Sequence, residues 1–360
     1  MIPIAKPNLG PQERKAVIEV LKSGMIAQGP KVAQLEEKFA HFIGTKYAIA
    51  VSSGTTALHL ALLALGIGEG DEVIVPSFTF IATANAPLFV GAKPIFADID
   101  EQTFNIDPID IEKKITKKTK AIIPVHLFGR PADMKQILAL AKKHKLYVIE
   151  DAAQAHGAEI KGKKIGSFSE AGCFSFYPTK NMTTSEGGMV TTNNEKLAQK
   201  IHLLREHGMP KKYHHEMLGY NFRMTDIAAA IGLEQLKKLR SFNAKRITNA
   251  KYLNNRLGKI KGIIIPEIEL STKHVFHQYT IRITKDYLLT REQLMQKLEK
   301  AGIGFGIFYP IPCHQQKEFK DMKYKVKLPV TEEIVKEVLS LPVHPLLIKK
   351  DLDLIIRHIK

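Results

Sequence analysis

A chain of 360 residues is long enough for one large domain with a sizeable core and a smaller second domain. Lys and Arg outnumber Asp and Glu by 53 to 36, a formal charge of +17 spread over lysine clusters at 113–120, 142–145, 161–164 and 317–327, and such a field draws in anionic ligands such as nucleotides and phosphates. No basic run is interleaved with aromatics, which argues against a single-strand nucleic-acid surface, and Cys173 and Cys313 make neither a disulfide framework nor a zinc motif.

In chain order, residues 1–7 lack the charged and apolar regions of a signal peptide. Pro11 opens a helix whose apolar positions Val17, Ile18, Val20 and Leu21 share one face, and Gly24 closes it. A second helix over 31–43 closes at Gly44. Strands at 47–51, 72–75, 94–97, 121–125 and 146–149 then alternate with helices at 55–65, 81–89 and 131–144. Near-continuously apolar strands in this alternation predict an α/β fold with a mainly parallel sheet covered on both faces, and in such sheets ligands sit at the carboxyl ends of the strands. The longest mostly apolar run, 57–68, contains His59 and is too short to span a bilayer, so a cytoplasmic protein without membrane contact is expected.

Two further strands, 173–177 and 189–192, flank a turn that carries Lys180. Cys173, inside the first of them, reads as a buried structural thiol. Helices at 195–207 and 225–257 follow, the second long enough to connect two domains. The last third is α+β in pattern, with a strand near 275–283 and helices at 291–301, 330–339 and 351–359. A large domain over 1–240 and a smaller C-terminal domain over 241–360 are therefore expected.

Three places carry chemistry. Ser52-Ser53-Gly54-Thr55-Thr56 follows a strand and opens a helix, which makes it either a plain N-cap or a phosphate cradle built from hydroxyls, free N–H groups and the helix dipole. Asp151, directly after the strand at 146–149, is either a turn residue or a carboxylate placed against a protonated ring nitrogen. Lys180, held near a buried strand by a Pro-Thr turn, has the surroundings that disfavour an ammonium and expose a nucleophilic amine. An amine, a carboxylate and a phosphate cradle in this order are what pyridoxal 5'-phosphate requires. Phe80, just beyond another strand, is a core aromatic or a cover for the ring face.

The segments Ser53-Gly54-Thr55-Thr56-Ala57-Leu58, Pro76-Ser77-Phe78-Thr79-Phe80, Glu150-Asp151-Ala152-Ala153-Gln154-Ala155-His156-Gly157, Phe174-Ser175-Phe176-Tyr177-Pro178-Thr179-Lys180-Asn181 and Gly219-Tyr220-Asn221-Phe222-Arg223-Met224 resemble the DegT/DnrJ/EryC1/StrS family of sugar aminotransferases. The likeness runs from Gly29-Pro30 to Leu339-Ser340-Leu341-Pro342. It implies a fold type I pyridoxal-phosphate enzyme with a mainly parallel seven-stranded sheet, active as a homodimer with shared sites. By the same resemblance Lys180 would form the internal aldimine, Asp151 would hold the pyridine nitrogen and Gln154 would contact the ring hydroxyl. Gly54, Thr55 and Ser175 would bind the phosphate, Phe80 would stack on the ring, and Asn221 would reach the neighbouring subunit's cofactor phosphate. Some members of this fold carry histidine in place of the lysine and act as dehydratases; Lys180 favours transamination.

Two positions depart from the family pattern: Ser185 stands where Gly often precedes Glu186-Gly187-Gly188, and Phe308 stands where His often precedes Tyr309-Pro310. His214 and His215 are substrate-contact candidates by position, or solvated loop residues. The activity implied is transfer of an amino group from L-glutamate to a C3 or C4 keto group of a nucleotide-linked sugar, in a ping-pong cycle. Competing readings are a same-fold aminotransferase for a non-nucleotide cyclitol or ketone, a cofactor-binding regulatory protein, and, from charge alone, a nucleic-acid binder.

Overall fold

The computed structural model describes residues 1–360. Its central sheet has seven strands in the order Tyr47–Val51, Gly188–Thr192, Ala171–Ser175, Tyr147–Asp151, Thr119–Ile122, Glu72–Pro76, Lys93–Ala97. Only Gly188–Thr192 runs against its neighbours; the other pairings are parallel. Successive side chains leave a strand on opposite faces, and both faces here are covered. Ile74 joins a core with Val148, Phe174 and the helix Pro30–Ile43, while its neighbours Val73 and Val75 join another with Ile149, Cys173 and the helix Gly54–Ala64. That two-sided burial is why the strands read as unbroken apolar runs.

Several element bounds differ from those read in the sequence. The strand expected at 121–125 is Thr119–Ile122, because Pro124 has no N–H for the ladder and Val125 makes only an isolated bridge to Asp151. The strand expected at 173–177 is Ala171–Ser175, so Lys180 lies beyond its end in a turn closed by Lys180 N–H donating to Tyr177 O at 2.9 Å. The helix expected from 131 starts at Met134, where Asp133 accepts from Gln136 N. The stretch 330–339 is divided between a helix, Pro329–Glu337, and a strand, Val338–Leu341, which pairs with Tyr279–Ile283. Residues 274–278 are not yet strand; they run along the 128–129 turn, with Val275 N–H donating to Gly129 O and Gln278 N–H to Phe128 O. The helix Pro108–Lys114, capped by Asp107, has no counterpart in the sequence reading.

The C-terminal part builds its own core on the sheet Ile263–Ile264, Tyr279–Ile283, Val338–Leu341, with the helices Arg291–Lys300 and Lys349–Ile359. Helix Asp226–Leu257 takes part in two cores, through Ala229, Leu233 and Leu239 in one and Ala250, Leu253 and Leu257 in the other. Ile2 also packs in the C-terminal core and bridges to Ile303. No helix is long and apolar enough to cross a membrane.

Candidate active site

At the carboxyl ends of the parallel strands lies a cavity of about 480 Å³, and Gly54, Thr55, Phe80, Asp151, Gln154, Ser175 and Lys180 all line it. Asn221 does not; it is exposed, with its side-chain oxygen accepting from Arg223 Nε at 3.1 Å. His214 and His215 are exposed and also lie elsewhere, His215 beside a separate concavity of about 690 Å³ with Lys211, Lys212 and Arg223.

One end of the cavity is built to meet an anion. Ser53 serves as the N-cap of helix Gly54–Ala64, its hydroxyl accepting from Thr56 N at 3.1 Å. Gly54 and Thr55 follow as the first helical residues, whose N–H groups have no partner within a helix and sit at its positive end. Ser175 faces them from the end of its strand. A Cβ on Gly54 would stand 2.7 Å from Ser175 Cβ, so the close approach of helix start and strand end requires glycine there.

The middle of the cavity holds a carboxylate and an amine. Asp151 is 5% exposed and makes no salt bridge; its oxygens accept from Thr83 Oγ1 at 2.7 Å and from Ala153 N at 3.1 Å. Burial pushes its carboxyl above the ordinary value, against the pull of those two bonds and of the Lys180 charge. Lys180 is only partly covered by surface area, yet protein crowds its amine, and this desolvation brings its pKa from 10.5 to about 8, with Asp151 opposing. At the other end Gln154 is fixed by both its atoms, Oε1 accepting from Phe128 N at 2.7 Å and Nε2 donating to the Tyr309 hydroxyl at 3.2 Å. Phe80, 54% exposed, is an apolar ring with an open face in the cavity wall, 6.1 Å from the ring of Tyr309.

Thr83, Tyr309, His277 and Gln278 are among the lining residues to which the sequence reading gave no role. Thr83 fixes Asp151 and lies one turn into the helix Ile81–Phe89, a spacing from Thr79 that could have suggested it. Tyr309 holds Gln154 although it stood in view beside Phe308. His277 and Gln278 gave no signal, because 275–283 reads as one strand while the chain at 274–278 is a loop. Phe308 lines the cavity and packs over Gly306, whose Cβ would meet its ring at 2.6 Å. Ser185 has φ 75°, the left-handed region, which is the physical reason for glycine at this position.

The residues present fit pyridoxal phosphate. A buried carboxylate without a salt bridge, a crowded amine of lowered pKa, an anion cradle that only glycine can close and an aromatic with an open face are the complements of its ring nitrogen, aldehyde, phosphate and ring.

Fold and cavity together define a fold type I pyridoxal-phosphate aminotransferase. The chain belongs to the DegT/DnrJ/EryC1/StrS aminotransferase family, whose family model matches residues 7–360. It is 44% identical to UDP-N-acetyl-3-dehydro-alpha-D-glucosamine 3-aminotransferase of Acidithiobacillus ferrooxidans, over 91% of this chain and 87% of that protein. It is 42% identical to GDP-perosamine synthase of Caulobacter vibrioides, over 99% of this chain and 96% of that one. Among solved structures, the PLP form of Spr1654 from Streptococcus pneumoniae superposes with a TM-score of 0.95 at 30% identity, over 100% of this chain and 97% of the other.

Proposed function

We propose that the enzyme moves an amino group from L-glutamate to a keto group, at C3 or C4, of a nucleotide-linked sugar, in two half-reactions that share one cavity. The observation that carries the reading is the placing of the Lys180 amine and the Asp151 carboxylate in one cavity with the Gly54–Thr55–Ser175 anion cradle. The relatives named for UDP- and GDP-linked sugars support the acceptor class, and the charge of +17 suits a diphosphate.

Pyridoxal phosphate, when bound, supplies an aldehyde that accepts amines and a ring that withdraws electrons. Gly54, Thr55 and Ser175 would hold its phosphate through backbone N–H groups and hydroxyls. Phe80 would cover one ring face, and Gln154, kept aimed by Tyr309, would meet the ring hydroxyl. Asp151, steadied by Thr83, would keep the ring nitrogen protonated. Lys180 would carry the cofactor between turnovers, and its amine, when free, would take the proton from the donor's Cα. A pKa near 8 leaves a usable fraction of that amine neutral at physiological pH.

The same reading extends to the assembly. We propose a homodimer in which Asn221, exposed and outside its own cavity, reaches the phosphate bound by its partner. A division into a cofactor domain over 1–240 and a C-terminal domain over 241–360 is supported by the separate core of the C-terminal part. A cytoplasmic setting accords with two buried free thiols, Cys173 and Cys313.

The test is to load the enzyme with cofactor, discharge its visible colour with L-glutamate, and add UDP-, dTDP- and GDP-linked 3-keto and 4-keto sugars singly. Return of the colour with one of them, accompanied by its amino sugar, is expected. Discharge by glutamate with no nucleotide sugar restoring the colour would move the acceptor to a non-nucleotide cyclitol or ketone. No discharge by glutamate would remove it as the donor.

A further inference from the structure

Lys180 is the one lysine or arginine lining the cavity, yet two neutral polar side chains there have no task in holding the cofactor. They are His277 and Gln278, neighbours in the loop that leads into strand Tyr279–Ile283. His277 is 5% exposed and lines the cavity; its Nδ1 is wholly buried, neither ring nitrogen makes a hydrogen bond within the chain, and Nε2, which keeps accessible surface, is the nitrogen open to a partner in the cavity. The Gln278 side-chain amide likewise makes no hydrogen bond within the chain, although its backbone N–H donates to Phe128 O at 3.3 Å.

The backbone under these two residues is fixed from both sides. Val275 N–H donates to Gly129 O at 3.0 Å, and Gly129, at φ 93°, leaves no room for a Cβ against His277 N. From behind, the buried Arg246 donates through Nη1 to the carbonyls of Phe276 and His277, at 3.2 and 3.3 Å. This is a pre-set wall rather than a mobile loop tip.

We propose that His277 and Gln278 form the sugar-ring subsite of the cavity and determine which hydroxylated acceptor is held beside Lys180. The inference rests on the nucleotide-linked sugar reading above. The class of ligand follows from the donor and acceptor inventory. The open nitrogen of a neutral imidazole donates or accepts according to its tautomer and a carboxamide offers both, which matches ring hydroxyls, whereas a carboxylate or phosphate calls for cations or donors alone. His277 stays neutral at working pH, since burial, Lys180 and Arg246 all oppose a further positive charge there. Leaving out a hydroxyl would strand a buried partner, so such a wall rejects the wrong sugar more strongly than an apolar one does.

The test is calorimetric binding to the cofactor-loaded enzyme in its amine form, with three probe pairs: UDP and UDP-glucose, dTDP and dTDP-glucose, GDP and GDP-mannose. Wild-type protein is expected to bind at least one linked sugar about tenfold more tightly than the bare nucleotide, a ratio within reach of one or two hydrogen bonds. His277→Phe and Gln278→Leu should each reduce that ratio severalfold, and His277→Asn, which keeps a donor and an acceptor, should recover part of it. The amount of bound cofactor colour reports whether each variant is folded, and Gln278→Leu serves if His277→Phe is not. An unchanged ratio in both variants would overturn the subsite, as would an equal loss for nucleotide and linked sugar. A wild-type enzyme that binds nucleotides but gains nothing from any sugar overturns the subsite alone. One that binds no nucleotide in any form overturns the acceptor reading and the subsite with it.

Discussion

Lys180 and Asp151 are stressed by the same burial in opposite senses, since low polarizability disfavours an ammonium and a carboxylate alike. The amine falls to about 8 and the carboxyl rises. In the cofactor-free enzyme the ammonium is therefore present below about pH 8, and the nucleophilic amine appears as pH rises through that value rather than through 10.5. Imine formation with added pyridoxal phosphate should follow that titration; a midpoint near that of an ordinary lysine would show that Lys180 is not desolvated. If Asp151 partners the ring nitrogen as proposed, Asp151→Asn should leave the cofactor bound but lower turnover by about a hundredfold or more. Thr83→Val removes the 2.7 Å bond that favours the charged carboxylate, so activity should fall by less, about tenfold, with the fold intact. That Asp151 and Lys180 meet in one cavity was legible because Asp151 stands at the end of one apolar strand and Lys180 in the turn after another, in company with the Ser53–Thr56 turn. Thr83 and His277 were not, since their roles depend on which side chain faces which across the cavity.

Two junctions between elements decide whether the site can be assembled. Asp226, 1% exposed, accepts from the backbone N–H groups of Gly29, Lys31 and Val32 and so ties the first turn of helix Pro30–Ile43 to the start of helix Asp226–Leu257. Asp226→Ala would leave those donors unsatisfied and should cost about 2–4 kcal/mol in denaturant unfolding, with the cofactor residues themselves unaltered. Ser185 tests the opposite direction. It is exposed and holds a left-handed conformation that its Cβ penalises, while its backbone bond to Thr183 Oγ1 does not need the side chain. Ser185→Gly should stabilise the fold by about 0.5–1 kcal/mol, the steric gain less the entropy of glycine; a loss of stability would contradict the backbone argument. Helices with clear caps, such as Pro11–Ser23 with Gly24 and Pro30–Ile43 with Gly44, were legible nearly to the residue. Strand ends were less so, because Pro124 and the turn at 177–180 stop the ladder where apolar residues continue.

At the scale of the whole molecule, one chain brings seven of the eight expected cofactor residues to one cavity and leaves Asn221 outside it. Sequence order cannot show that separation, since the segment 219–224 reads like the others. If Asn221 acts across a dimer, mixing Lys180→Ala subunits with Asn221→Ala subunits should restore part of the activity, because one of the two sites in a heterodimer would then be intact; no recovery would leave each chain to complete its own cavity. The mainly parallel sheet was legible in outline from the alternation of strands and helices, whereas its strand order was not, and the strand Val338–Leu341 was hidden behind a helical pattern. Everything proposed for the cavity depends on Lys180 being the residue that carries the cofactor. Borohydride fixation of the cofactor-loaded enzyme followed by peptide mapping reads this directly: the label should fall on Lys180 alone, and a label on any other lysine, or none, would contradict it.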